Sequence, residues 1–303
     1  MVSSILALHL ISLSDKFSEW KGRSDGIMHH QFFASRSFAI FMAYGFVDGM
    51  LLYGLSVFIP DQVRGVYNTD PLAISRVYSI FNGGLLSGFL FFGYVSTAVK
   101  QFRWPLVGAS FFLTLFLGLV SRATPENLAY FEVMMFLIGF FTASTEVIPV
   151  AGMGLIVPSH LIATAIMVLS TMRALGGALG ISILSAVYSN KAAVYLPRYI
   201  GPVLAKAKVP TAEFATIITI VAQAPALLAK VPGLTPELIG EIIGASQKAA
   251  AKSYMYVWFS IMATSAACLV LSFFIVDSPE KFDNLVESAL EPSKLKEVQK
   301  VHV

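Results

Sequence analysis

Charge is what this sequence has least of. Asp, Glu, Lys and Arg together make up 13% of its 303 residues, about half of the roughly 25% found in an average soluble domain. So little charge cannot coat a water-facing surface, which excludes a soluble enzyme, a nucleic-acid-binding protein and a disordered chain. Cysteine is scarcer still. Cys268 stands alone, which excludes an intramolecular disulfide framework and a cysteine-built metal site. Within its apolar run it reads as an inert small hydrophobe. The five histidines, His9, His29, His30, His160 and His302, show no metal-ligand spacing, and the His29-His30 neighbours mark a polar stretch ahead of the first span. There is no Gly-x-x-x-x-Gly-Lys-Ser/Thr loop to cradle a nucleotide, so transport would draw on a gradient. No Asn-Pro-Ala pair of the water-channel type is present either. No metal, cofactor or catalytic constellation is expected, and the net charge of +3 names no polyanionic partner.

Apolar sequence is what the chain has in excess. Hydrophobic residues form 56% of it, and the mean hydropathy is +0.73. The solvent for that surface is a lipid bilayer. A helix crossing ~30 Å of hydrocarbon needs roughly 20 mostly apolar residues. Six stretches qualify, at 37–59, 77–99, 105–121, 128–148, 161–188 and 254–276, with Pro149 interrupting the fourth. Backbone groups in lipid must be satisfied within the segment, so such runs are helices. The expected fold is all-α, a polytopic membrane protein of six transmembrane helices. The N-terminal apolar run at 2–13 is too short to span and has no positive charge ahead of it. It reads as an interfacial helix or as the remnant of a preceding helix.

Lys and Arg near span ends set the orientation. With the N-terminus in the cytoplasm, the inner segments hold Lys16, Lys21, Arg23, Arg36, Lys100, Arg103, Lys281, Lys294, Lys296 and Lys300. The short outer loops hold only Arg64, Arg76 and Arg122. The expected organisation is a cytoplasmic segment at 1–36, five spans within 37–188, an extracellular helical segment at 189–253, the sixth span at 254–276 and a cytoplasmic tail at 277–303. Two amphipathic helices are expected in the extracellular segment. One starts at Thr211 with Phe214, Ile217, Ile218 and Val221 on one face. The other is announced by Thr235-Pro236-Glu237, a cap, a first-turn proline and an acid. Both are read as lying over the outer mouth of the bundle, where they serve either transport or only as a surface decoration.

An ionisable residue inside a span is expensive and marks a functional site by default. Asp48, Glu132, Glu146 and Arg173 qualify, and Asn82 is an uncharged group that is also costly to bury unpaired. These five are the candidates for the substrate or proton pathway. They fall on spans one, two, four and five, which predicts four inner helices and leaves spans three and six free to face lipid all round. In each triplet of spans the first two are polar and the third is plain, and the triplets start on opposite sides, the pattern of a 3+3 inverted repeat. Asp48 and Arg173 lie at similar mid-membrane depth, so an ion pair between them is geometrically possible. Glu132 and Glu146 share a face but sit roughly 21 Å apart at ~1.5 Å per residue, too far for a carboxylate dyad. They are read near the outer and inner ends of their span. Three glycine pairs are spaced four residues apart: Gly45 with Gly49, Gly84 with Gly88, and Gly176 with Gly180. Each allows close helix–helix packing, and all three lie in the spans assigned to the interior.

Three passages carry a family likeness. FAIFMAYGFVDGMLLYGLSVFIP at 38–60, continuing as DQVRGVYNTDP, is one. TMRALGGALGISILSAVYSNK at 171–191 and FFIVDSPEKFDN at 273–284 are the others. They resemble the C-terminal half of fungal fourteen-helix transporters of the major facilitator superfamily, the group containing trichothecene efflux pumps and siderophore iron transporters. The resemblance implies half of a major facilitator fold, with alternating access driven by a proton gradient. It implies a cavity lined by the first, second, fourth and fifth helices, and it places Arg173 in an Arg-x-Leu-Gly-Gly-Ala motif. It carries no role onto Asp48. The N-terminal bundle of the family has no counterpart here, and 2–13 then reads as the tail of the helix before this half. The expected function is proton-coupled efflux of a small organic toxin or drug across the plasma or vacuolar membrane. A missing N-terminal bundle or a homodimer would supply the opposite cavity wall. The alternatives are ferric-siderophore uptake and a non-transporting half that associates with another transporter bundle.

Overall fold

The computed structural model describes residues 36–67, 70–157, 161–207, 209–223, 228 and 234–275. The readings for 2–13, for the five histidines and for the tail at 277–303 lie outside the described residues. Within them the chain is helical: α1 Arg36–Gln62 with a π-helical continuation Val63–Tyr67, α2 Pro71–Val99, α3 Arg103–Val120, α4 Leu128–Ile156, α5 Ile162–Lys206, α6 Thr211–Gln223 and α7 Pro236–Ser272. Six of them, all but α6, are long and apolar enough to cross a membrane.

The helix boundaries follow local chemistry, and four of them differ from the expectation. α2 starts at Pro71, not at residue 77. Asp70 caps it by accepting from the Leu72 amide at 3.1 Å, and proline fits the first turn because its missing N–H would be orphaned there anyway. α4 runs through Pro149 to Ile156. Proline interrupts one hydrogen bond, and neighbouring helices hold the rest of the backbone in place. α5 has 45 residues, so it does not end at residue 188. At ~1.5 Å per residue it is roughly 68 Å long, about twice the hydrocarbon thickness. α7 likewise begins early, at Pro236, capped by Thr235, whose hydroxyl accepts from the Leu238 amide at 3.3 Å, and continues unbroken into the sixth span. The expected second amphipathic helix is therefore not a separate element over the mouth. The linking stretch 248–253, KAAAKS, is rich in alanine, the best helix former, and holds nothing to stop the helix. The ends of α5 and α7 project together and pack with α6 around Ile200, Leu204, Ile217, Val221, Leu228 and Ile242.

In the bundle α1 packs most closely against α5, and α4 against α2. α7 then lies on α1 as α3 lies on α4, and α3 meets α7. Exchanging the first three spans for the last three maps these contacts onto one another, the packing of a 3+3 inverted repeat, and the extensive α5–α7 contact is the one with no equal between α2 and α3. Glycines make the two closest pairings possible. A Cβ at Gly49 would collide with the backbone of Arg173, and one at Gly176 with the carbonyl of Phe46. Gly180 continues the same seam one turn along α5, where a Cβ would come within 2.8 Å of the Met50 Cα. Gly45 differs from these three: a Cβ there would meet the Leu169 side chain rather than the main chain, so it marks the edge of the seam. Gly84 and Gly88 do the same for α2 against the carbonyls of Phe136 and Phe140 on α4, and Gly139 of α4 does so against the Phe81 carbonyl. All three sequence-derived pairs thus lie on helix contacts, and Gly139 is a partner that the four-residue spacing did not reveal.

Spans three and six are not wholly turned to lipid. A third of the apolar window of each is buried, and they supply Leu113, Leu117, Trp258 and Ile261 to the core. Their polar side chains explain why: Thr114 and Ser265 hydroxyls meet at 2.9 Å between them, and Trp258 Nε1 donates to buried Gln62 of α1 at 2.6 Å. Spans two and five are the least covered, at 28% and 22%. Each turns one long face outward. On α5 that face carries Thr171, Ala174, Ala178, Ser182 and Ala186, and on α2 Ser75, Ser79, Asn82, Leu86 and Leu90.

Overpacking a tight backbone contact costs about 1–3 kcal/mol or more. Gly176→Ala and Gly84→Ala are expected to lower the thermal unfolding midpoint in detergent. Gly93→Ala, where a Cβ meets open space, should leave it unchanged or raise it, since alanine is the better helix former by about 1 kcal/mol. Equal midpoints for all three variants would contradict the seam.

Candidate functional site

Two apolar clusters fill the bundle. One gathers Leu51, Leu55, Phe81, Leu113, Ile138, Leu184 and Ile261 toward the projecting layer. The other gathers Tyr44, Leu106, Ile148, Leu169 and Cys268 toward the opposite end. Between them lies a layer of buried polar side chains at mid-depth. It consists of Asp48 on α1, Ser110 on α3, Thr142, Ser144 and Thr145 on α4 and Ser265 on α7. Most of these hydroxyls hydrogen-bond to their own helix. Thr142 donates to the Ile138 carbonyl and Thr145 to the Thr142 carbonyl, each at 2.7 Å. That satisfies them without solvent.

The charges sit in this layer. Asp48 is fully buried, and Arg173 Nε lies 3.0 Å from its Oδ2. Gly49 puts the α1 backbone against Arg173 itself, so the glycine seam delivers the two side chains to one place. The same guanidinium faces α4. Its Nη2 donates to the carbonyls of Thr145 at 2.9 Å and Glu146 at 3.2 Å, and Nη1 stands 3.9 Å from the Glu146 carboxylate. Arg173 thus sits between two carboxylates from two helices. A planar fork of five donors is suited to such shared contact. The side chain of Glu146 is 21% exposed and that of Arg173 12%, so the arrangement is closed on the Asp48 side and reachable on the other.

Of the five sequence-derived candidates, Asp48, Arg173 and Glu146 converge. Glu146 belongs to the bundle interior rather than to a helix end, because α4 continues to Ile156 beyond it. Glu132 lies elsewhere, paired with Arg76 at 2.7 Å near the start of α4. Asn82 stands on the uncovered face of α2, its amide donating to the Tyr78 carbonyl at 2.8 Å. Sequence reasoning missed Tyr44, whose buried hydroxyl neighbours Asp48, Ser110 and Cys268. Its place four residues before Asp48, one helical turn away on the same face, was the available signal. It also missed Arg76 as a partner for Glu132. α2 starts early enough to bring Arg76 inside, and the two residues stand at similar depth in helices that begin on the same side. Among the described residues no His, Cys, Asp or Glu cluster fits a metal ion.

Removing one partner of a buried ion pair costs about 3–5 kcal/mol, because the other charge is left uncompensated. Asp48→Asn and Arg173→Gln should each destabilise the chain by about that much, and the double variant by clearly less than the sum. A double-variant cycle on thermal or denaturant unfolding checks this. Simple additivity would show that the two residues do not act as a pair.

The family model for the fungal trichothecene efflux pump (TRI12) matches residues 2–296. Among curated proteins, the trichothecene efflux pump TRI12 of Fusarium sporotrichioides is 21% identical over 245 residues, covering 78% of this chain and 40% of that protein. The MFS-type transporter prx5 of Penicillium rubens is 25% identical over 237 residues, covering 74% of this chain and 42% of its own. The chain therefore spans about two fifths of the length of these relatives. Both carry transporter names, and the match takes in helices long and apolar enough to cross a membrane.

Proposed function

Since the chain belongs to the fungal trichothecene efflux pump family, we propose that it forms the proton-handling half of a transporter that expels a small organic compound. Trichothecene-like toxins are the first cargo to test. The observation that carries this reading is the buried Asp48–Arg173–Glu146 group at mid-depth. A charge inside the membrane is retained against a solvation cost of several kcal/mol per ion, and packing alone does not require one. Here one cation faces two carboxylates. A proton arriving on either carboxylate releases Arg173 toward the other, moving a side chain that touches α1 and α4 at once. That is a way to couple proton uptake to a change in helix packing.

The outward faces of α2 and α5 are the surface on which the second wall of the cavity docks. Small residues such as Ala174, Ala178 and Ser182 allow the close approach that helix packing in lipid relies on, whereas a lipid-facing helix has no use for them. A second six-helix bundle, from a longer chain or from a second copy, is the proposed occupant. Both termini are assigned to the cytoplasm on the Lys/Arg asymmetry. The projecting layer of α5, α6 and α7 then lies outside the cell or in the vacuolar lumen.

Two measurements test this. In proteoliposomes with an imposed pH gradient, adding a trichothecene should evoke proton flux that Asp48→Asn abolishes. No flux at protein densities where the chain cross-links to itself would sink the proposal. Ala193→Cys, exposed on the projecting part of α5, should react with a membrane-impermeant maleimide applied to intact cells. Reaction only after the membrane is opened would invert the topology.

A further inference from the structure

A cavity of about 350 Å³ opens where the α3–α4 turn meets the projecting helices. Its wall holds Arg122 and Glu126 of the turn, Tyr199 of α5, and Lys248, Lys252 and Met255 of α7. Three cations face one carboxylate. None of the four takes part in an ion pair among the described residues, where the pairs lie elsewhere, at Arg64–Asp61, Arg76–Glu132 and around Arg173. Among the described residues the Lys252 ammonium donates to the Met255 thioether at 3.6 Å, a weak acceptor. Lys248 and Lys252 are also four apart on one helix, a spacing at which like charges repel. Arg122, from another element, adds a third positive charge to the same hollow. The single carboxylate of Glu126 leaves that hollow with an excess of positive charge.

The level of the cavity is set by its surroundings. α3 ends at Val120 and α4 begins at Leu128, so the turn between them marks the edge of the hydrocarbon. Tyrosines cluster beside it. Tyr195 and Tyr256 hydroxyls meet at 2.9 Å, Lys191 stands 4.2 Å over the Tyr256 ring, and Tyr130 donates to the Leu119 carbonyl at 2.8 Å. Tyrosine and lysine at this depth mark the headgroup region of a membrane protein.

We propose that this cavity binds a phosphate-type oxyanion through Arg122, Lys248 and Lys252. Arginine supplies paired N–H donors that match phosphate oxygens, and the lysines act as point charges. A bound anion ties the α3–α4 turn to the projecting ends of α5 and α7, so the layer beyond the membrane is held to the bundle by a ligand as well as by helix continuity. The site is independent of the Asp48–Arg173–Glu146 group and of transport through it.

The test uses the whole chain in nanodiscs of phosphatidylcholine doped with phosphatidic acid. Lipid co-purified with the protein is read by native mass spectrometry. The wild type should enrich phosphatidic acid, and Arg122→Gln/Lys248→Gln should lower that preference by about thirtyfold, the effect of two surface cations on an anionic lipid. Arg198→Gln/Lys206→Gln, which removes two exposed cations of the same layer that do not line the cavity, should leave it unchanged. If lipid is not enriched but inorganic phosphate raises the unfolding midpoint of the wild type and not of the Arg122/Lys248 variant, the oxyanion is a free one. Neither response, or equal losses in both double variants, overturns the proposal.

Discussion

Close approach of two backbones is the constraint on which the rest of this bundle depends. Helices in lipid gain nothing from hiding apolar surface from one another, so they associate through packing and polar contact. Here glycine supplies the packing. Gly49, Gly176 and Gly180 let α1 and α5 touch through their main chains, and Gly84, Gly88 and Gly139 do so for α2 and α4. The first of these seams also fixes the site. Because the α1 backbone at Gly49 lies on Arg173, the neighbouring side chain of Asp48 has no distance to cross before meeting the guanidinium at 3.0 Å. A wider seam would leave a buried carboxylate unpaired, a state that costs far more than the packing it disturbs.

The same logic governs the other polar groups. With no water in the hydrocarbon, their partners have to come from inside the protein. Thr142 and Thr145 turn back onto their own helices. Thr114 and Ser265 bond to each other across α3 and α7, and Trp258 finds Gln62. The result is a core in two apolar blocks with a polar layer between them, and Asp48, Arg173 and Glu146 lie in that layer.

Much of this was legible in the sequence, and what was not had physical reasons. The six spans, the glycine pairs and the shared depth of Asp48 and Arg173 follow from length and spacing alone. Spacing could not tell Gly45, which meets a side chain, from Gly180, which meets a backbone, because that depends on the facing helix. Helix ends depart from the hydropathy boundaries where a strong local signal competes with context. Pro149 reads as a stop, yet neighbours of α4 hold the helix together around it. The run at 248–253 leaves the hydrocarbon, so hydropathy marks a boundary there, while alanine keeps the helix going. Polarity alone assigned spans three and six to lipid, because Ser, Thr and Trp look unremarkable one at a time. Only their cross-helix partners, distant in sequence by 151 and 196 residues, show that those spans are packed. Asn82 stands apart from the buried group for the opposite reason. Bonded to its own helix, it stands on an uncovered face and needs no buried partner.

The two closest pairs, α1–α5 and α2–α4, define two groups of three, with α7 on the first and α3 on the second, and the α3–α7 contact that joins the groups is as extensive as those that attach α7 and α3 to them. Within each group the main contacts are extensive, while α1 and α4 meet only slightly, as do α4 and α5. Between the groups there are two principal connections. One is the α3–α7 contact with its Thr114–Ser265 bond. The other is Arg173, which belongs to the first group through Asp48 and reaches into the second through the carbonyls of Thr145 and Glu146. The two connections differ in kind. The first is apolar packing with one neutral hydrogen bond, and no change of protonation alters it. The second is electrostatic, and adding one proton to Asp48 removes the charge that holds Arg173 on its own side. In the proposed reading, a proton on Asp48 therefore shifts Arg173 toward Glu146 and α4 and alters the second connection, while the first stays as it is.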